Sequence, residues 1–296
     1  MELRDYARVP TERPNPRSRE LDRLSPSRLF DLMNSEDAAV VRAVRRAKRE
    51  VLRAVALIAD RLARGGRLYL AGAGTSGRLC VLEAAELPPT FDTSPRLVQA
   101  LMAGGRSSVF RSREGAEDDA RPVRRFLNRA LTPRDVVVAV AASGVTAHSH
   151  AALTAARRKK AVSVFLTGNP AAKVPADVRV VFATGPELLT GSTRLKAGTA
   201  TKMILNMLTT MSMVRLGKVH GHWMVDLQPR SRKLVARGRR LIAALGGVDP
   251  ARAAALLRRS GGRTKTAIVM ARRGLSRGEA ERRLSTAGGR LREALK

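Results

Sequence analysis

Aromatic side chains are scarce: one Trp, two Tyr and six Phe make up 3% of a 296-residue chain. The core must therefore be built from Ala, Val, Leu, Ile and Met, and a hydrophobic fraction of 44% supplies enough of them. Cysteine is rarer still. The single Cys80 excludes an internal disulfide and fits a reducing compartment. It sits in an apolar helical run with no histidine nearby in sequence, so it reads as a small core residue and not a catalytic thiol. No apolar run reaches the roughly 18 residues of a membrane span. Met203 to Val214 comes nearest, but Asn206, Thr209, Thr210 and Ser212 interrupt it, and it reads as a buried helix. The charged, proline-rich start MELRDYARVPTERPNP carries no secretion signal, so the expected location is the cytoplasm.

Acidic residues are also few. Against 56 Lys and Arg stand 25 Asp and Glu, a formal net charge of +31. Nucleic acid, an acidic substrate and an arginine-rich solvated surface compete to explain it. The basic residues are scattered over 42–48, 121–125, 157–160, 230–240 and 258–263, without the interleaved aromatics of a single-strand binding surface. No zinc-finger or basic-zipper pattern occurs. The expectation is a solvated basic surface with only weak, non-specific nucleic-acid binding. Of four histidines, His148 with His150 and His220 with His222 form two H-x-H pairs. A zinc site wants three or four ligands, and helical residues two apart face different ways. No metal is expected.

Along the chain, residues 1–34 read as an extended arm limited by Pro10, Pro14, Pro16 and Pro26, with Ser25 and Pro26 able to open a helix. From Ser35 to about Arg64, Val40, Val44, Val51, Val55, Ile58 and Leu62 recur at helical spacing, and Gly65-Gly66 stops the helix. Strand signals at 67–71, 96–102, 135–141, 161–167 and 178–183 then alternate with helical ones at 76–87, 107–130, 145–159 and 192–216. Such alternation predicts a parallel sheet with helices on both faces and a ligand crevice at the carboxyl ends of the strands. Residues 35–228 would form this domain, and 229–296 a small helical region with Ser276 capping one helix.

The first strand runs into Gly72-x-Gly74-x-x-Gly77, with Thr75 and Ser76 at the start of the following helix. Glycines let the backbone turn tightly, and a helix start offers free N–H groups and a positive dipole end. That combination suits a phosphate. The spacing also fits a dinucleotide fingerprint, but the second strand ends in Ala103-Gly104-Gly105-Arg106, without the carboxylate that would hold a ribose. Four segments should meet at the crevice: 74–78, 114–119, 142–146 and 187–194. Hydroxyls and small residues dominate three of them, as a phosphorylated, polyhydroxylated ligand would require.

The stretches GAGTSGR (72–78), EAAELPPTF (83–91), EGAEDD (114–119), VVVAVAASG (136–144), TGSTRLKAGTATKMILNML (190–208) and GKVHGHWMVDL (217–227) resemble the N-acetylmuramic acid 6-phosphate etherases of the sugar isomerase (SIS) superfamily. The likeness runs from Thr11 to the C-terminus. It implies a three-layer αβα sandwich with a five-stranded parallel, flavodoxin-like sheet, a small helical C-terminal region, a homodimer, and no metal or cofactor. It also implies the reaction: removal of the D-lactyl ether from N-acetylmuramate 6-phosphate. In the open-chain sugar a base takes the C2 proton, an acid protonates the departing lactate at C3, and water then adds to the unsaturated aldehyde. Matched motif by motif, the acid falls at Glu86 and the base at Glu117. An acid that works near neutral pH should be buried or lie beside a like charge. Gly74, Thr75, Ser76, Ser143, Glu187, Ser192 and Thr193 are the candidates to hold phosphate and sugar hydroxyls. The chain departs from the family at Val145, where an Arg is usual, at Glu83-Ala84-Ala85, and around Ser231. A non-catalytic sugar-phosphate sensor, and an aldose–ketose isomerase of the same superfamily, are the competing functions.

Overall fold

The computed structural model describes residues 9–227 and 231–296. The chain forms two units, Met1–Ala85 with Arg96–Thr209, and Glu86–Pro95 with Thr210–Lys296.

The first unit holds five parallel strands: β1 (Leu68–Gly72), β2 (Val98–Met102), β3 (Val136–Val140), β4 (Val162–Thr167) and β5 (Val178–Val181). Their order is β2-β1-β3-β4-β5, with Leu68 beside both Val98 and Val136, and Val136 beside Val162. This is the flavodoxin-like order, which reverses direction between β1 and β3 and opens a crevice there. β1, β3 and β4 are buried along their whole length, as central parallel strands covered on both faces must be. On one face Tyr69, Ala71, Val137, Ala139 and Phe165 pack with Val123 and Leu127 of one helix and Ala152, Leu153 and Ala156 of another. Strand alternation turns Leu68, Leu70 and Val138 to the opposite face.

The helices follow the expected sequence with instructive shifts. α1 (Pro26–Arg46) begins well before Ser35, so the last quarter of the expected arm, residues 26–34, is helical. Ser25 caps it, accepting from the Arg28 N–H, and Pro26 occupies the first turn, where a missing N–H costs nothing. α1 stops at Ala47, which leaves helical geometry at φ −82°, ψ 8°, and α2 (Lys48–Ala63) follows. α3 (Gly74–Phe91) does not stop at Leu87 but continues through Pro88 and Pro89. Pro88 and Pro89 lie in its last turns, where neither has an N–H to donate to the preceding turn, and Asp92 ends it at φ +51°. The single helix expected over 107–130 is two: a turn, α4 (Ser107–Phe110), and α5 (Arg121–Ala130). Gly115 at φ +71° and a run of acidic residues hold the intervening stretch as a loop. α6 (Ala147–Arg158) and α7 (Lys196–Arg215) complete this part of the chain.

The second unit contains a short hairpin, β6 (Val219–His220) with β7 (Trp223–Met224), and five helices: α8 (Arg232–Gly246), α9 (Pro250–Arg259), α10 (Thr264–Arg273), α11 (Arg277–Thr286) and α12 (Leu291–Ala294). Its core gathers Val225, Ile242, Leu257, Ile268 and Met270. Ser276 caps α11 in a reciprocal capping box with Glu279. Gly288 and Gly289, both at positive φ, separate α11 from α12. The expected domain boundary at 228/229 and Arg230 lie outside the described residues. Among the described residues no helix is long and apolar enough to cross a membrane.

Candidate functional site

At the β1/β3 switch point lies a cleft of about 230 Å³. It is walled by four loops: Ala73–Ser76 after β1, Glu117-Asp118 after α4, Ala142–Thr146 after β3, and Gly191 with Thr193 before α7. Two helix N-termini face it. α3 opens with Gly74 at φ +52°, and Thr146 is the capping residue of α6. The positive ends of both helices favour an anion there.

Gly72 and Gly77 make the first loop possible. A Cβ on Gly72 would come within 2.8 Å of the Gly77 nitrogen, and one on Gly77 within 2.5 Å of the Gly72 carbonyl oxygen. α3 therefore sits directly on the strand end, and its first residues, Gly74, Thr75 and Ser76, line the cleft. Met102 at the end of β2 fills the other side, its sulfur 2.3 Å from the position a Gly77 Cβ would take. The second strand thus ends in packing and not in a ribose-binding carboxylate.

The loop after β3 is held from behind. Asn169 Nδ2 donates to the Ser143 carbonyl at 2.8 Å, and Gly144 adopts φ +82°. The His150 ring bonds the Gly144 carbonyl at 2.8 Å. His148 is buried, its ring bonded to the Leu101 carbonyl at 3.0 Å, and burial depresses its pKa. Its backbone N–H donates to the Glu117 carbonyl at 3.0 Å, tying the acidic loop to the first turn of α6. Both rings of this H-x-H pair are therefore committed to backbone carbonyls.

Glu117 stands between the cleft and an adjoining recess of about 100 Å³ that also contains Arg78, Ser108, Arg113 and Glu114. It keeps an exposed face. Even so, desolvation by the walls, followed by the like charges of Asp118 and Glu114, raises its carboxyl above the ordinary range. A raised carboxylate is a stronger base once ionised. Asp119, two residues after Glu117, is instead committed to Arg121 at 2.9 Å and has a lowered pKa.

Of the residues expected from sequence, Gly74, Thr75, Ser76, Ser143, Thr193 and Glu117 line this one cleft. Ser192 lies between two lining residues but is not itself one. Glu187 is fully buried elsewhere: its two carboxylate oxygens accept the N–H groups of Lys196 and Ala197, each at 2.9 Å, and so cap α7. A helix start needs such acceptors, and this one takes both oxygens. Glu86 falls in the second unit and is exposed in the single chain, so the burial expected of an acid is not found there. On the helix that carries Glu86, the buried carboxylate is Glu83, accepting from Asn206 and Thr209 of α7. Glu12 and Asp118 line the cleft without having been singled out in the sequence. Asp118 carried a signal, as a neighbour of Glu117. Glu12 carried none, because 179 residues separate it from Gly191, the wall it completes.

A sequence model of the glucokinase regulatory protein N-terminal SIS domain matches residues 50–157. The chain is 46% identical over 296 residues to an N-acetylmuramic acid 6-phosphate etherase of Synechocystis sp., spanning 99% of this chain and 97% of that protein. It is 47% identical over 272 residues to one of Thermosynechococcus vestitus, spanning 91% and 88%. Among solved structures, a phosphoheptose isomerase from Francisella tularensis aligns with a TM-score of 0.49 at 14% identity, covering 62% of this chain and 98% of that one.

Proposed function

The chain belongs to the N-acetylmuramic acid 6-phosphate etherase family, and from that premise we propose that it cleaves the D-lactyl ether of N-acetylmuramate 6-phosphate, giving N-acetylglucosamine 6-phosphate and D-lactate. Near full-length kinship carries the reading, and a cleft that combines helix N-termini, hydroxyls and a raised carboxyl supports it. The phosphate is held at Gly74, Thr75 and Ser76, where N–H groups and hydroxyls converge. Ser143 and Thr193 offer hydroxyls to the sugar.

Glu117 is the base. With the sugar open, its carboxylate takes the proton from C2, which the C1 aldehyde acidifies. The electron pair forms the C2–C3 double bond, and the C3–O bond breaks with its pair going to the lactyl oxygen. Glu86 is the acid that protonates that oxygen. Water then adds its hydroxyl at C3 and a proton returns to C2, so atoms balance as a net hydrolysis. Each acid–base contribution is worth about 10²–10⁴-fold. We propose further that the chain acts as a cytoplasmic homodimer, since Phe30 and Met33 on α1 leave apolar surface that pairing would cover.

The test is D-lactate release from N-acetylmuramate 6-phosphate by the wild type, Glu86→Gln and Glu117→Gln. Release by the wild type and its loss in both variants is expected. Tight sugar-phosphate binding without any release would overturn the enzyme and make the chain a sensor.

A further inference from the structure

The segment ahead of α1 is built into the cleft. Residues Pro10–Glu12 form a 3-10 turn, closed by the Glu12 N–H donating to the Val9 carbonyl at 3.0 Å. The Gly191 N–H donates to the Thr11 carbonyl at 3.0 Å, laying this turn against the loop before α7. One Glu12 oxygen accepts the Thr11 hydroxyl at 3.0 Å. The other lies 3.1 Å from where a Cβ on Gly191 would stand, so the glycine leaves room for the carboxylate.

A buried charge cluster fixes the segment in place. Asn15 Nδ2 and Arg17 Nη1 donate to the two oxygens of Glu36 on α1, at 2.9 and 2.8 Å, and Lys196 at the start of α7 pairs with the same carboxylate. Glu36 and Lys196 are 7% and 4% exposed. Lys196 and its hydrogen bonds hold Glu36 below the ordinary carboxylate range despite its burial. Removing one partner from such a cluster is costly, and Asn15 and Arg17 anchor the segment to α1 through it.

Charge defines what Glu12 can do there. The chain has 56 basic residues, yet among the described residues no Lys or Arg lines the cleft and Glu12 has no ion-pair partner. Its open oxygen is an acceptor only. The phosphate end of a ligand is drawn to the N-terminus of α3 at Gly74–Ser76, which leaves Glu12 with Gly191 and Thr193 for groups that donate. On a sugar phosphate those are hydroxyls.

We propose that Glu12 is a specificity-determining residue that accepts a hydrogen bond from a hydroxyl of the bound sugar phosphate. The inference rests on the etherase reading only for the identity of the sugar. Calorimetry with N-acetylglucosamine 6-phosphate and with inorganic phosphate, on wild type, Glu12→Ala and Glu12→Gln, tests it. The Ala variant should bind the sugar phosphate about 10- to 100-fold more weakly, as expected for a hydrogen bond to a charged group. Gln, which keeps one acceptor oxygen, should lose less. Inorganic phosphate should bind both variants no more weakly than wild type. Equal weakening of both ligands would make Glu12 a structural support, and no weakening of the sugar phosphate would remove it from the site; either overturns the proposal. Wild type that binds the sugar phosphate but releases no D-lactate refutes the etherase reading and leaves this comparison intact.

Discussion

Glu187 separates a structural carboxylate from a ligand-binding one. It is fully buried, and both oxygens accept N–H groups at the start of α7. Glu187→Ala would orphan two buried donors at about 1–3 kcal/mol each, a loss of about 2–6 kcal/mol. For a unit of this size each kcal/mol moves the melting temperature by roughly 2–4 °C, so a drop on the order of 10 °C is expected. Glu187→Gln should cost roughly half as much. It keeps one acceptor and sheds a charge that burial disfavours: desolvation raises the Glu187 pKa, while the Ala197 and Lys196 N–H groups pull it back only in part. The sign follows: a raised acid weakens the fold as pH climbs from its unfolded pKa through its folded one. The Gln variant should therefore approach wild-type stability toward neutral and alkaline pH. Thermal melts at several pH values measure this, and hydrogen exchange at Lys196 and Ala197 should quicken in the Ala variant. Inorganic phosphate affinity should be unchanged in Glu187→Gln. An unchanged melting temperature combined with weakened phosphate binding would refute the cap and return Glu187 to the ligand site.

Two further outcomes are expected. In its proposed role as base Glu117 must be ionised, and since its pKa is raised, the acid-side limb of kcat/KM against pH should lie above the ordinary glutamate range. Asp118→Asn, which removes a like charge, should move that limb down without returning it fully, because desolvation is the larger cause; a limb that does not respond refutes the assignment. Gly77→Ala should destabilise the first unit by about 1–3 kcal/mol or more, since its methyl would meet a backbone oxygen at 2.5 Å. A chemical denaturation midpoint equal to wild type would contradict the close packing of α3 on β1.

The sequence by itself determined the parallel sheet, because five short apolar runs separated by helical spacing leave few other arrangements. It also determined the glycine loop, since Gly72, Gly74 and Gly77 act within a few residues of one another. Capping was legible at Ser25 and Ser276 for the same reason: a cap bonds an N–H two or three positions away. Tertiary structure decided what depends on distant partners. Glu187 reads like a site residue beside Thr190 and Ser192, but its oxygens meet the start of α7 and are used up there. The prolines at 88 and 89 read as a stop, yet α3 runs through them to Phe91. Glu12 gave no local signal, and it becomes a wall of the cleft only when Glu36 and Lys196 draw the preceding segment across to Gly191. Burial and charge pairing are properties of the folded neighbourhood, and they sort carboxylates that look alike along the chain.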